Sequence, residues 1–105
     1  MECEQTEIFY DGTKVWLNDV GVYHREDGPA VEWWHGGKDW YVNGVKHRLD
    51  GPATINRIGN KIWFINGFDV NNKITKWAKE RDIDLDNLSE EDKMIIQLEW
   101  GNYGG

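Results

Sequence analysis

The sequence predicts an α+β fold, in which a twisted antiparallel β-meander of hairpin repeats is followed by two C-terminal helices. Three observations predict it. A heptapeptide that begins at His24 returns almost unchanged at His47, which gives a period of 23 residues. Asn-Gly pairs at matching places in the repeat are the strongest short signal for two-residue hairpins. After Asn71 the apolar residues change to helical spacing.

The repeated element is His-Arg-x-Asp-Gly-Pro-Ala, at residues 24–30 and again at residues 47–53. A unit of this size cannot bury its own apolar face, so neighbouring units must stack in order. Asn43-Gly44 and Asn66-Gly67 predict hairpins with type I′ turns, in which both central residues have positive φ. Within the element, the glycines are expected to take unusual φ and the prolines to fix the chain at a strand edge.

Alternation along the central hairpin predicts which side chains share a face. One face would carry Trp40, Val42, Val45 and His47, and the other would carry Tyr41, Lys46 and Arg48. Stacking of the units in one continuous sheet would then align Trp16, Trp40 and Trp63 into an aromatic ladder, with His24 and His47 beside it. About seven to nine short strands are expected, within a sheet that is apolar on both sides.

Residues 71–100 are predicted to form two helices packed on the repeat-built sheet of residues 1–70, within a single domain. In the first helix the residues at helical spacing are Ile74, Trp77, Ala78 and Arg81. Ser89 is the predicted N-cap of the second helix, because acidic residues follow it. The buried stripe of that helix would be Met94, Ile95, Leu98 and Trp100, and residues 101–105 would form a flexible tail.

Composition narrows the classes of function. The net charge is −7, with 12 Lys and Arg against 19 Asp and Glu, and binding to extended nucleic acid needs a basic surface. No apolar run reaches about 18 residues and no signal peptide is apparent, so no membrane partner is expected. The single Cys3 cannot form an internal disulfide. These features favour a protein of the cytoplasm.

The order of the motifs resembles the MORN-variant repeats of tailed-phage and large-virus proteins. The heptapeptide is preceded by Trp-x-x-Asn-Gly and followed by a Gly-Lys-x-Trp turn, and the resemblance runs from about Gly12 to Phe68. The segment Leu98-Glu99-Trp100-Gly101 is also similar to the end of small phage proteins with such repeats. The third unit departs from the pattern, since it lacks both His-Arg and Asp-Gly-Pro-Ala. The resemblance implies arrays of β-hairpins, and binding rather than catalysis.

A ligand site is predicted where the repeated polar residues meet aromatic ones. Two arginines one repeat apart could grip an anionic ligand, and aromatic rings could stack on a base. The candidate ligand-binding residues are Arg25, Arg48, His24, His47, Tyr41 and Trp40. The alternative is that each Arg pairs with its own Asp and each His donates to a carbonyl. No metal and no cofactor are expected, since the histidines lack Cys and close carboxylate partners.

The function expected from these features is that of a small non-catalytic phage-type protein that sequesters an anionic nucleotide immune signal in the cytoplasm of an infected cell. A first alternative is a protein–protein inhibitor of a host defence factor, which would act through the acidic segment of residues 82–92. A second alternative is a structural repeat module. An enzyme is not expected, because Ser89, the only serine, is better used as a helix cap. Exposed aromatic residues suggest a homo-oligomer, with a dimer favoured.

Overall fold

The computed structural model describes residues 5–104, with ten strands and two helices in that range. The strands are β1 Gln5–Ile8, β2 Lys14–Leu17, β3 Val31–Glu32, β4 Lys38–Asp39, β5 Tyr41–Val42, β6 Val45–Lys46, β7 Thr54–Ile55, β8 Lys61–Ile62, β9 Phe64–Ile65 and β10 Phe68–Asp69. The helices are α1 Asn71–Glu80 and α2 Glu90–Trp100. The α+β class, with antiparallel strands in hairpin order and two C-terminal helices, is confirmed. Cys3 lies outside the described residues.

The strands form three sheets instead of the single continuous one expected. Six strands follow the order β1-β2-β3-β4-β7-β8, while β5–β6 and β9–β10 are separate two-stranded hairpins. The chain leaves the large sheet after Asp39, because the carbonyl of Tyr41 accepts instead from the amide of Arg25 in the preceding repeat. The separate hairpins have the predicted turns: Asn43 and Asn66 have φ of 50° and 52°. Their register, with Val42 opposite Val45, is also confirmed.

The tryptophans of the three repeats line up across the large sheet, as predicted. The amide of Trp16 donates to the carbonyl of Ala30, and that of Trp40 donates to the carbonyl of Ala53. The register continues to Trp63, so large and small side chains alternate from strand to strand on one face. Both alanines are fully buried. The last residue of the heptapeptide is therefore the small residue that fits between successive tryptophans.

Both helices pack on the third repeat and close that end of the array. Their core joins Trp63, Ile65 and Val70 of the repeat to Ile74 of α1 and to Ile96 and Trp100 of α2. In the third repeat, the amide of Val70 donates to the carbonyl of Trp63, as the amides of the two histidines donate to the carbonyls of Trp16 and Trp40, and α1 begins at the next residue. Neither helix of the described chain has the length and apolar character needed to cross a lipid bilayer.

The buried stripe of α2 differs from the prediction. Ile96 and Trp100 are buried, one turn apart, whereas Met94 and Leu98 are 64% and 81% exposed. Trp100 of the predicted stripe is buried and Ile95 is partly buried, while Ile96, which the prediction does not include, is fully buried. The predicted N-cap is confirmed: Ser89 accepts from the amide of Asp92 in a reciprocal capping box.

The end of α1 also differs from the prediction, and turns follow α2. In α1, Ile74 and Ala78 are buried, but Arg81 is the C-cap and not part of the helix. Residues 101–104 form turns, and the flexibility expected of residues 101–105 stays a prediction. Tyr103 packs against Trp100 with ring centroids 5.4 Å apart, and its carbonyl accepts from the side chain of Asn66 at 2.8 Å.

Candidate functional site

Arg48 is held on three sides by residues of its own repeat. Its guanidinium carbon lies 4.0 Å from the centre of the Trp40 ring. Its Nε donates to Asp50 Oδ1 at 2.8 Å, and its Nη1 donates to the carbonyl of Pro52 at 3.0 Å. The alternation of side chains along a strand predicts that Arg48 lies on the face opposite Trp40. That prediction is wrong because β6 ends at Lys46, and strand alternation does not continue beyond it.

The first repeat builds the same arrangement around Arg25. Its guanidinium carbon lies 3.9 Å from the centre of the Trp16 ring. Nε donates to Asp27 Oδ1 at 3.0 Å and Nη1 to the carbonyl of Pro29 at 3.2 Å. The arginine, aspartate and proline of the heptapeptide therefore act together in each copy. Of the two interpretations of the arginines, pairing with their own aspartates is the observed one.

The glycines of the heptapeptide leave room for these guanidinium groups. A Cβ at Gly51 would lie 2.5 Å from Cζ of Arg48, and one at Gly28 would lie 2.8 Å from Cζ of Arg25. Neither glycine is among the residues with positive φ. The expectation of unusual φ at these positions is thus wrong, and the requirement is close approach. Each guanidinium lies between an indole ring and a glycine.

The histidines join each repeat to the turn of the next one. Nδ1 of His24 accepts from the amide of Asn43, and Nδ1 of His47 accepts from the amide of Asn66, both at 2.9 Å. The expected donation to a carbonyl is therefore not what these Nδ1 atoms do. His24 is fully buried, with Nε2 3.6 Å from a carboxylate oxygen of Glu26. Burial lowers the pKa of His47, which favours the neutral ring that can accept.

Four of the six predicted ligand residues line one cleft between the first two repeats. The cleft has a volume of about 580 Å³, within the range of small-molecule sites. Its lining includes Trp40, His47, Arg25 and Arg48, together with Glu26, Asp27, Asp50, Val42, Leu49 and Gln97. Two guanidinium groups thus face three carboxylates. Paired in this way, the arginines offer an anion little uncompensated charge.

The other two predicted residues lie away from the cleft lining. His24 is buried beneath the Asn43 turn. Tyr41 packs against Tyr23 at 5.3 Å between ring centroids, with the ammonium of Lys46 5.7 Å from its ring. Burial, and then the neighbouring carboxylate of Asp39, raise the pKa of Tyr41. Both residues hold repeats together.

The acidic segment of residues 82–92 is partly used within the fold. Asp84 caps the amide of Asp86, and Asp86 pairs with Lys61 at 3.1 Å. Asp92 belongs to the capping box of α2. Between residues 5 and 104, no three His, Cys, Asp or Glu side chains gather into a cluster that could hold a metal ion.

The sequence indicates exposed aromatic residues but not where the exposed apolar surfaces lie, and the structure shows two of them. One is on α2, where Met94 and Leu98 point away from the core. The other lies at the tips of the long hairpins, where Tyr10 is fully exposed and Trp34 is 65% exposed. The available signal was the presence of large aromatic residues beside Asp11-Gly12 and Gly36, at turn positions where polar residues are usual.

Comparisons with known proteins leave the family of the chain open. No protein-family model matches it, and no curated protein or solved structure is significantly similar to it.

Proposed function

We propose that this chain is a non-catalytic binding protein that acts on a protein partner through the outward face of α2. That face consists of Met94 and Leu98, one helical turn apart, with Glu90 and Glu91 beside them. The exposure of these two apolar side chains carries the proposal, because a stable helix has no need of apolar residues on its solvent side. Apolar residues with a polar rim are typical of protein interaction sites.

The charges around this face favour a basic partner. Glu90 pairs at 3.6 Å with Lys93, whereas Glu91 makes no ion pair within residues 5–104. The whole chain carries a net charge of −7. A partner with basic residues around an apolar groove would complement the outward face, and its association should weaken as salt increases. By the resemblance to phage repeat proteins, the partner would be a host defence factor.

Affinity capture from host lysate tests this proposal. The wild-type chain should retain a defined set of host proteins, and Leu98→Ser or Glu91→Lys should release them. Val20→Ala, which shortens an exposed apolar side chain in the first repeat, is the matched control and should retain them. Retention of the same proteins by all variants would contradict the proposal. Recovery of virion proteins alone from infected cells would instead support a structural repeat module.

A second candidate function is capture of an anionic nucleotide in the cleft between the repeats. The observation that favours it is the position of the two arginines. Within the described residues, the Nη2 group of neither Arg25 nor Arg48 donates a hydrogen bond, although Nε and Nη1 are engaged. Two amino groups could thus reach a phosphate while the guanidinium groups stay in place. This second candidate is the nucleotide sequestration expected from the sequence. Fewer hydrogen-bond donors of the arginines are free for the ligand than that expectation requires.

Calorimetric titration separates the two candidates. A nucleotide site should release heat with cyclic or ADP-ribose-type nucleotides, and Arg48→Ala should abolish that heat while Leu98→Ser leaves it unchanged. An absence of heat with every nucleotide tested would remove the second candidate and leave the first untouched.

A further inference from the structure

The three long hairpins place their turns at one end of the large sheet. The strands alternate in direction along β1-β2-β3-β4-β7-β8, so the β1–β2, β3–β4 and β7–β8 turns all lie at the same end. Among the residues that the structure describes, six of the twelve exposed large apolar side chains are found there. We call this surface the hairpin-tip ridge, and it consists of Ile8, Phe9, Tyr10, Trp33, Trp34 and Ile58. It is the largest collection of exposed aromatic residues on the described chain.

The aromatic centre of the ridge is held in a fixed arrangement. Trp33 donates from Nε1 to Asp39 at 2.8 Å, and its ring stacks on His35 at 5.9 Å. Trp34 meets the same imidazole edge-on at 5.5 Å, and its amide donates to Thr13 Oγ1 at 3.2 Å. Side chains already ordered before binding lose little entropy when a partner arrives. Tryptophan and tyrosine are also the residues most enriched in binding hot spots.

Charge differs between the two ends of the ridge. The first tip carries Asp11, whose carboxylate accepts from the amide of Thr13 at 2.9 Å. The third tip carries Arg57, and neither residue makes an ion pair within the part of the chain that the structure describes. Neighbouring tips are two strands apart, about 10 Å. Asp11 and Arg57 therefore lie roughly 20 Å apart, with Trp34 of the middle tip between them.

We propose that the hairpin-tip ridge binds a second copy of this chain, with the two ridges antiparallel. A two-fold axis near Trp34 brings the middle tips of both copies together. The same axis sets Asp11 of each copy against Arg57 of the other, so that two ion pairs flank an aromatic centre. Such an interface is closed and self-complementary, as most homodimers are. A parallel arrangement would set like charges against each other at both ends.

The small size of the ridge favours a weak dimer. Tyr10 and Trp34 together offer on the order of 400 Å² of surface, and a standard interface buries about 800 Å² on each partner. Even with the flanking isoleucines, the contact is at the lower end of stable interfaces. We therefore expect a dissociation constant in the micromolar range, so the oligomeric state depends on concentration.

Sedimentation velocity from about 1 µM to about 500 µM tests the proposal on the full chain. The wild type should change from monomer to dimer over this range. Trp34→Ala should weaken the dimer by at least about tenfold, since truncation of a hot-spot residue costs about 2 kcal/mol or more and about 1.4 kcal/mol is tenfold. Val20→Ala is the matched control for an exposed apolar residue elsewhere and should dimerise like the wild type.

The charge pairs allow a stricter test with mixed variants. Arg57→Glu alone and Asp11→Lys alone should each be monomeric, because each homodimer would face like charges. An equimolar mixture of the two should dimerise, since both ion pairs are attractive in the heterodimer. Asp11→Asn keeps the oxygen that accepts from Thr13, so it separates loss of charge from loss of the turn, and it should weaken the dimer modestly.

The outcomes are decisive in either direction. A wild type that stays monomeric throughout the range would overturn the proposal. So would a dimer unaffected by Trp34→Ala, or a mixture of the two charge variants that remains monomeric. None of these results depends on the α2 face or the cleft, so the functional proposals stand or fail separately.

Discussion

Replacement of Gly51 by alanine tests the role of glycine in the repeated heptapeptide. The new Cβ would lie 2.5 Å from Cζ of Arg48 and 2.7 Å from its Nη1, which is closer than packed carbon atoms approach. Trp40, Asp50 and the carbonyl of Pro52 hold the guanidinium. It can therefore make room for the new Cβ only by leaving them. Gly51→Ala should therefore displace Arg48 from these partners.

The free energy of unfolding should fall by about 0.5–1.5 kcal/mol. The contact with Trp40 is worth about 0.5–1 kcal/mol at a partly exposed site, and the hydrogen bond to Pro52 about 1 kcal/mol. The ion pair adds little, since Asp50 is largely exposed. Opposing these losses, alanine restricts the unfolded chain and stabilises by about 0.4–1 kcal/mol where φ permits it. The lost contacts outweigh this gain.

Urea unfolding of a double-mutant cycle is the assay. In an Arg48→Ala background the guanidinium is absent, so Gly51→Ala should become neutral or stabilising by up to about 1 kcal/mol. The effect of Gly51→Ala on the free energy of unfolding thus changes sign when the guanidinium of Arg48 is removed. Equal destabilisation by Gly51→Ala in the wild type and in the Arg48→Ala variant would refute the reasoning. It would mean that the new Cβ clashes with the backbone and not with the side chain of Arg48.

Three further predictions concern His47, the N-cap of α2 and the buried face of α2. Because burial lowers the pKa of His47 below its usual 6.5, folding favours the neutral ring; stability should be complete above about pH 6.5 and fall as the pH decreases below it. His47→Asn, which keeps an acceptor for Asn66 without the titration, should flatten urea midpoints between about pH 7.5 and pH 5; an unchanged slope would contradict this role. Ser89→Ala should lower stability by about 1 kcal/mol in thermal unfolding, through loss of the capping box, and no loss would mean that the cap is dispensable. Ile96→Ala should cost about 2–5 kcal/mol and Leu98→Ala less than about 0.5 kcal/mol; the reverse order would restore the stripe predicted from sequence.

The sequence predicts the fold well where local chemistry decides it. Asn43 and Asn66 adopt the positive φ that their Asn-Gly turns require. The 23-residue period aligns Trp40 with Trp63 across the sheet, as repeat stacking demands. Ser89 caps its helix because its side chain reaches the third amide of the first turn.

The candidate site is predicted less well, because tertiary contacts decide which side each group faces. Alternation along a strand placed Arg48 away from Trp40, yet the strand ends before that residue and the loop returns it to the indole. Helical spacing alone could not tell the face of Ile96 from that of Leu98, since both are apolar. The burial of His24 beneath the turn of the following repeat is likewise invisible without the stacking geometry.

The exchange of the arginine Nε protons with solvent, followed by NMR, tests the central claim most directly. If the heptapeptide uses its arginines for its own structure, the Nε protons of Arg25 and Arg48, which are bonded to aspartates, should exchange much more slowly than that of the exposed Arg57. Equal, fast exchange at all three arginines would contradict the account. It would mean that the guanidinium groups are free in the cleft and available to a ligand.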